Sequence, residues 1–425
     1  MKKVLVLCIL AFPQLLFSQD QGIAFENQLT WQQVLQKAKA QNKFIFVDCY
    51  ASWCGPCKWM DQNVYVNDTV GDFMNKAFIA VKVQMDSTPH DNAAVKSWYP
   101  TGHELSEQYL IVAYPTYLFF SPDGQAVHKA TGLAKIQSFL ALAEVAMDPR
   151  RQYYTLLAEY RRDSLQYALM PGLANASREV QEDDLSDRIA LDYIHYLEQL
   201  TDANLWTKDN IVFIGSYANV FHYGDKIFSR YFHERIKIDS IMGSTAYTWR
   251  LINAVAYHED VKPRIEAGLK YGSEPNWHLM EKTIQRRYGN TFVQKNMLMG
   301  REEYYRAAKA WEKYARYFVI DMKRINIENQ TPGLGASMAI NNSAFEVFKY
   351  SKSRKELKEA LSWIDKALSM NYYQAQELDT KANLLYKLGK NKEALLCEEK
   401  SNNLDPLDKE LKENYERMKN GQPTW

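Results

Sequence analysis

The residues best placed to do chemistry are Trp53-Cys54-Gly55-Pro56-Cys57-Lys58. Two thiols separated by two residues can close a small disulfide ring, and Gly55-Pro56 suits a tight turn from strand to helix. Upstream, Phe44 to Tyr50 reads as a buried strand, apolar except for one carboxylate, Asp48. Downstream, Lys58 to Met74 is long enough for a helix, with a break at Asn67-Asp68-Thr69. The pair would then sit at a helix N-terminus, where unpaired N–H groups and the helix dipole favour a thiolate. The bland alternatives are a static structural disulfide or half of a metal site. No second CxxC or CxxH follows, and the eight histidines are scattered without ligand spacing, so no metal is expected. A CxxC between strand and helix is the redox pattern.

Several elements must position these thiols. Trp31, Val34, Leu35 and Ala38 share one face of a helix over 29–40. Phe78 to Met85 reads as a second strand and carries Lys82. Ser87 to His103 is less regular, punctuated by Pro89, Pro100 and Gly102. With Trp98, Tyr99 and His103 it either shapes a substrate groove near Pro115 or covers the domain edge. Glu104 to Tyr109 reads as a short helix. Tyr117 to Phe120, the turn Ser121-Pro122-Asp123-Gly124 and Ala126 to Ala130 make a hairpin, and Ile136 to Met147 has helical periodicity. The order α-β-α-β-α-β-β-α fits a compact α/β domain ending near Pro149.

At 425 residues the chain is long enough for two or three domains. A formal net charge of +1 leaves no electrostatic footprint for nucleic acid or an anionic membrane. At the N-terminus, Lys2-Lys3, an apolar run from Val4 to Phe17 and Ser18-Gln19 read as a signal peptide over 1–19. That implies an exported, periplasmic protein, freed of Cys8 if the segment is cleaved. Of the remaining cysteines, Cys49 is expected to be buried in the central strand and Cys397 to lie on a distant helix. Beyond Pro149 the sequence is helix-compatible throughout. Glu359-Ala360-Leu361 and Glu393-Ala394-Leu395 are related by 34 residues, the period of paired-helix repeats. The expected domains are 20–148, a helical region over 149–334 with degenerate repeats, and a repeat region over 335–425.

Taken together, residues 25–148 resemble the thioredoxin superfamily, and 335–425 resemble tetratricopeptide repeats. Besides CxxC, the first resemblance rests on Asp48 six residues before Cys54, on Tyr114-Pro115-Thr116 before the hairpin and on Gly132 after it. Around the motif the sequence looks closest to exported members such as the C-terminal domain of the transmembrane thiol:disulfide interchange reductase. The resemblance implies a thioredoxin α/β fold followed by an all-α, tetratricopeptide-like domain. It implies that Cys54 is the exposed attacking thiol and Cys57 the resolving one. Asp48, raised in pKa by burial, would take the proton of Cys57, with Lys82 as its partner. Tyr114 and Pro115, in cis, would hold an extended substrate beside the disulfide, and Trp53 would flank it. No cofactor is needed beyond the redox disulfide. The expected activity is exported protein-disulfide reduction, fed by a membrane electron donor, with clients recruited on the helical repeats. The competing readings are a helical scaffold with an accessory thioredoxin module, and a disulfide oxidase or isomerase.

Overall fold

The computed structural model describes residues 22–324, 327 and 330–425. The expected signal segment, including Cys8, lies outside the described residues. The chain divides into two units, one running to Thr201 and one from Asp202 onward.

In the first unit four strands are ordered β2-β1-β3-β4. They are β1 (Phe44–Tyr50), β2 (Phe78–Gln84), β3 (Thr116–Phe120) and β4 (Ala126–Thr131). β1 pairs parallel with β2 and antiparallel with β3, so it lies in the middle of the sheet. A strand covered on both faces has to be apolar throughout, which Phe-Ile-Phe-Val-Asp-Cys-Tyr nearly is. Because side chains alternate, Phe46 and Asp48 share one face and Ile45, Val47 and Cys49 the other. The Phe46 face is covered by α2 (Gly55–Asn63), α3 (Asp68–Ala77) and α6 (Ile136–Met147). The Cys49 face is covered by α1 (Trp31–Gln41) and by α5 (Tyr99–Gln108), which follows the short α4 (Ala93–Ser97).

The segment after β2 is more regular than its sequence suggests. Pro100 sits in the first turn of α5, where its missing N–H costs nothing. Gly102 lets that helix close on β2: a Cβ there would come within 3.3 Å of the Gln84 carbonyl. Trp98 is buried, edge-on to Trp31 at 6.4 Å. This part of the segment therefore covers the sheet.

Past the end of α6 the same unit continues through α7 (Tyr153–Arg161), α8 (Met170–Glu179) and α9 (Asp183–Leu197). α6 ends at Met147, beside the expected domain end at 148. Polar residues of β4 meet these helices. His128 Nδ1 accepts the Tyr153 N–H at 3.1 Å, and the Thr131 hydroxyl donates to the Glu179 carbonyl at 2.5 Å. Burial, with Arg151 adding to it, pushes His128 down to about 4, so it is neutral in the folded protein. Lys129 is only 2% exposed and donates to Glu182 Oε1 and to the Leu110 carbonyl, both at 3.2 Å.

The second unit is built from helices among the described residues. Its last five are Leu334–Tyr350, Arg354–Met370, Gln374–Lys387, Asn391–Leu404 and Lys409–Lys419. Ala360 and Ala394, which belong to the repeat, are fully buried, as is Ala382. Small side chains there let neighbouring helices approach closely. Among the described residues no helix is long and apolar enough to cross a membrane.

The Lys129–Glu182 pair yields a stability prediction. Removing one partner of a buried ion pair leaves the other charge uncompensated, at a cost of about 3–5 kcal/mol. Glu182→Gln should therefore lower the unfolding free energy of the first unit, read from urea melts, by that amount. A change below ~1 kcal/mol would mean that Lys129 finds water instead.

Candidate active site

Cys54 is the N-cap of α2, with Gly55 and Pro56 in the first turn. Its Sγ accepts the Cys57 N–H at 3.0 Å, so the helix terminus aims a donor at this sulfur. Cys54 and Cys57 are joined as a disulfide. The preceding turn is fixed from two sides. The Cys54 N–H donates to the Ala51 carbonyl at 3.0 Å, and the Ser52 N–H donates to Asp86 Oδ1 at 2.9 Å. The Ser52 hydroxyl also donates to the Asp86 carboxylate.

Opposite the disulfide runs the loop that ends in the cis Tyr114–Pro115 peptide. The Gly132 N–H donates to the Pro115 carbonyl at 2.9 Å, and the Tyr117 hydroxyl to the Gly132 carbonyl at 3.1 Å. Gly132 has φ +91°, a conformation an L side chain would strain. Tyr114 packs against the cysteine pair and stands edge-on to Trp53, ring centroids 5.8 Å apart. Trp53, Cys54, Cys57 and Tyr114 thus pack together, with Pro115 next to Tyr114 in the chain. Gly55 has open space where a Cβ would lie, so the turn does not require it sterically.

In the disulfide form Cys54 is 2% exposed and Cys57 3%. In the closed ring both sulfurs pack with Ala51 against Tyr50 and Tyr114. The exposed member of the motif is Trp53, at 70%.

A second layer lies on the sheet face that α2 covers. Asp48 and Lys82 are register partners on β1 and β2, and Lys82 Nζ lies 3.7 Å from Asp48 Oδ2. The same ammonium group makes a shorter ion pair with Asp61 of α2. It also lies over the Tyr50 ring, 4.9 Å from the centroid. Neither Asp48 oxygen accepts a hydrogen bond among the described residues. Burial pushes its carboxyl up to about 7; Lys82 opposes the rise and Asp61 adds to it. Such a group can exchange a proton near neutrality, as a general base requires.

Two residues of the site escape motif-level reading. Asp61 stands four residues after Cys57, on the same helical face, and that spacing is the signal that could have found it. Asp86 follows β2 directly and braces the CxxC turn from outside the motif. Cys49 is a buried free thiol on the other face of β1, with its pKa pushed well up by burial and by Asp48.

The Asp48 environment predicts a pH dependence with a definite sign. Its folded pKa lies above the unfolded one, so its contribution is favourable below pH ~4 and is lost as pH rises toward 7. A rise from 3.8 to about 7 corresponds to roughly 4 kcal/mol. Asp48→Asn should therefore unfold later than the parent above pH 7 and match it near pH 4, in the disulfide form. Carboxyl NMR should place the Asp48 midpoint lower in Asp61→Asn and higher in Lys82→Met. An Asp48 that titrates near 4 in the parent would sink this account.

The family model Thioredox_DsbH, described as a protein of unknown function, DUF255, matches residues 15–153. An H-type thioredoxin of Fagopyrum esculentum is 30% identical over 117 residues, covering 28% of this chain and 84% of that protein. The thiol:disulfide interchange protein DsbD of Pseudoalteromonas atlantica is 32% identical over 121 residues, 28% of this chain. There the chain spans only about a fifth of the relative's length, 19%. The solution structure of a candidate disulphide-isomerase from Bacteroides thetaiotaomicron is 30% identical, covering 31% of this chain and 98% of that one, with a TM-score of 0.26. With its dithiol closed between Cys54 and Cys57, the chain belongs to the thioredoxin family of thiol:disulfide oxidoreductases.

Proposed function

We propose that the protein is an exported reductase of protein disulfides, working through Cys54 and Cys57, with its helical region recruiting clients. The observation that carries the reading is a disulfide at the N-terminus of α2 with a buried, unsatisfied Asp48 on the sheet face that this helix covers. The other ingredients sit around it. Among the described residues, the Tyr114 N–H and C=O have no backbone partner outside regular structure, which leaves them for an extended substrate strand. Trp53 offers an exposed apolar wall on the same side. Export is supported by the basic and then apolar character of residues 2–17.

In the reduced protein Cys54 attacks as thiolate; its sulfur bonds to one sulfur of the substrate disulfide, and the other substrate sulfur leaves as a thiolate and takes up a proton. Asp48, as carboxylate, accepts the Cys57 proton through water. The Cys57 thiolate then attacks Cys54 Sγ, the mixed disulfide breaks, and the second substrate thiolate leaves and is protonated. Two electrons pass from the dithiol to the substrate. The protein ends as the Cys54–Cys57 disulfide and needs an external dithiol to restore it. A membrane-bound reductase with an exposed dithiol would serve. No cofactor takes part.

Replacing Cys57 with Ser should leave Cys54 linked to its substrates as a mixed disulfide, releasable by dithiothreitol and absent when Cys54 is also replaced. Identifying the captured proteins gives the clients. The Cys54–Cys57 couple should lie near the reducing end of the family range, about −270 mV. A value above roughly −180 mV would assign the protein to oxidation or isomerisation instead. Full biological activity in Cys54→Ser would favour the scaffold reading.

A further inference from the structure

The helical unit contains a concave site that disulfide exchange does not use. A cavity of about 460 Å³ opens among residues 309–313, Lys349, Tyr350, Lys352, Lys387 and Trp425, within the usual size of ligand pockets. Its walls are aromatic. Trp311 and Tyr350 stack at 4.4 Å with only 18° between their planes, and the Trp425 ring stands edge-on to Phe348. Its charged side chains are overwhelmingly cationic: five lysines and one acidic side chain, Glu312.

The charges inside are unevenly compensated. Lys352 pairs with Glu312 at 2.9 Å, and Lys313 pairs with Glu274, outside the cavity, at 2.9 Å. Among the described residues, Lys309, Lys349 and Lys387 have no carboxylate within ion-pair distance. Lys387 Nζ donates to the Phe348 carbonyl and lies over the Trp425 ring at 5.3 Å; Lys349 lies over Tyr350 at 5.2 Å. Burial lowers the Lys387 pKa, and Lys352 lowers it further. Three ammonium groups gathered in one concavity repel each other, while the whole chain carries only +1. A cleft with low-dielectric walls concentrates that field and attracts anions into it.

We infer that this cavity binds an acidic peptide segment, with an aromatic or aliphatic side chain against Trp311 and Tyr350 and flanking Asp or Glu carboxylates on Lys309, Lys349 and Lys387. The mostly apolar walls favour a peptide over a bare inorganic anion, which would leave the rings unused. The inference rests on the reading that the helical region recruits clients, and it names the chemistry of the recruited segment.

The test uses full-length protein and a dye-labelled peptide, Glu-Asp-Phe-Glu-Asp, with the matched amide peptide Gln-Asn-Phe-Gln-Asn as control, followed by fluorescence anisotropy. The acidic peptide should bind at least tenfold more tightly than the amide, and its affinity should fall as salt rises. Lys309→Glu/Lys349→Glu should weaken it at least tenfold, and the milder Lys309→Gln/Lys349→Gln should weaken it in the same direction; circular dichroism melts would show that both variants are folded. Trp311→Ala should weaken both peptides. Equal affinity for the two peptides, or parental affinity in the folded lysine variants, would overturn the inference. So would competition in which inorganic phosphate displaces the peptide and binds as tightly, which would make this a small-anion site. The peptides contain no cysteine, so failure of binding counts against this cavity alone. Failure of Cys57→Ser to capture substrates counts against the exchange chemistry alone.

Discussion

The Asp48 carboxylate is buried in the middle strand of the sheet with no hydrogen bond to either oxygen among the described residues, and the rest of the first unit has to accommodate it. Ionising such a group away from water is costly unless a cation is close. Lys82 is close, but at 3.7 Å and shared with Asp61 it compensates only in part. The carboxyl therefore rests near its own midpoint at neutral pH, where proton transfer in either direction is cheap. Full pairing with Lys82 would pin it as a carboxylate, and removal of Lys82 would pin it as an acid. Asp61 sets the balance by drawing the ammonium group toward α2.

This balance constrains the fold. Asp48 and Lys82 face each other because β1 and β2 pair in one register, and a slip of one residue would move one of them to the opposite face. That register is locked by the apolar residues on either side. Phe46 packs among Tyr65, Tyr117, Phe119 and Phe139 on the α2 side, while Val47 and Cys49 fill the α1 side. The CxxC turn sits where β1 hands over to α2, so the strand that carries the acid also sets the position of the helix N-terminus that carries the sulfurs.

Much of this was legible because it depends on local pattern. The continuous apolar run of Phe44–Tyr50, the Gly-Pro turn, the hairpin around Pro122-Asp123-Gly124 and the spacing from Asp48 to Cys54 are all short-range, and the strands and helices fall where they indicate. Contacts across the fold were not legible. Asp61 gives no sign in one sequence that its partner is a lysine 21 residues away. Asp86 looks like the ordinary polar end of a strand. Lys129 reads as the outward residue of an edge strand, and only the arrival of Glu182 buries it. The burial of Cys54 depends on Tyr50 and Tyr114 closing over a formed disulfide, which sequence spacing does not convey.

Lys129 also explains why helices outside the minimal fold matter to the site. The loop from Leu110 to Pro115 has to be held firmly if its last peptide is to align a substrate against the sulfurs, since a misplacement of about 1 Å can cost two orders of magnitude in rate. At one end the Pro115 carbonyl is fixed by Gly132. At the other, the Leu110 carbonyl is fixed by Lys129, and Leu110 adopts φ +48°, a strained conformation for a branched side chain. Lys129 can remain charged in that buried position because Glu182, at the start of α9, offsets the burial that would neutralise it. The clamp on this loop therefore passes through an ion pair to a helix some seventy residues further along the chain. A fragment trimmed to the α/β core would keep both sulfurs and Asp48, yet it would lose the group that holds one end of this loop.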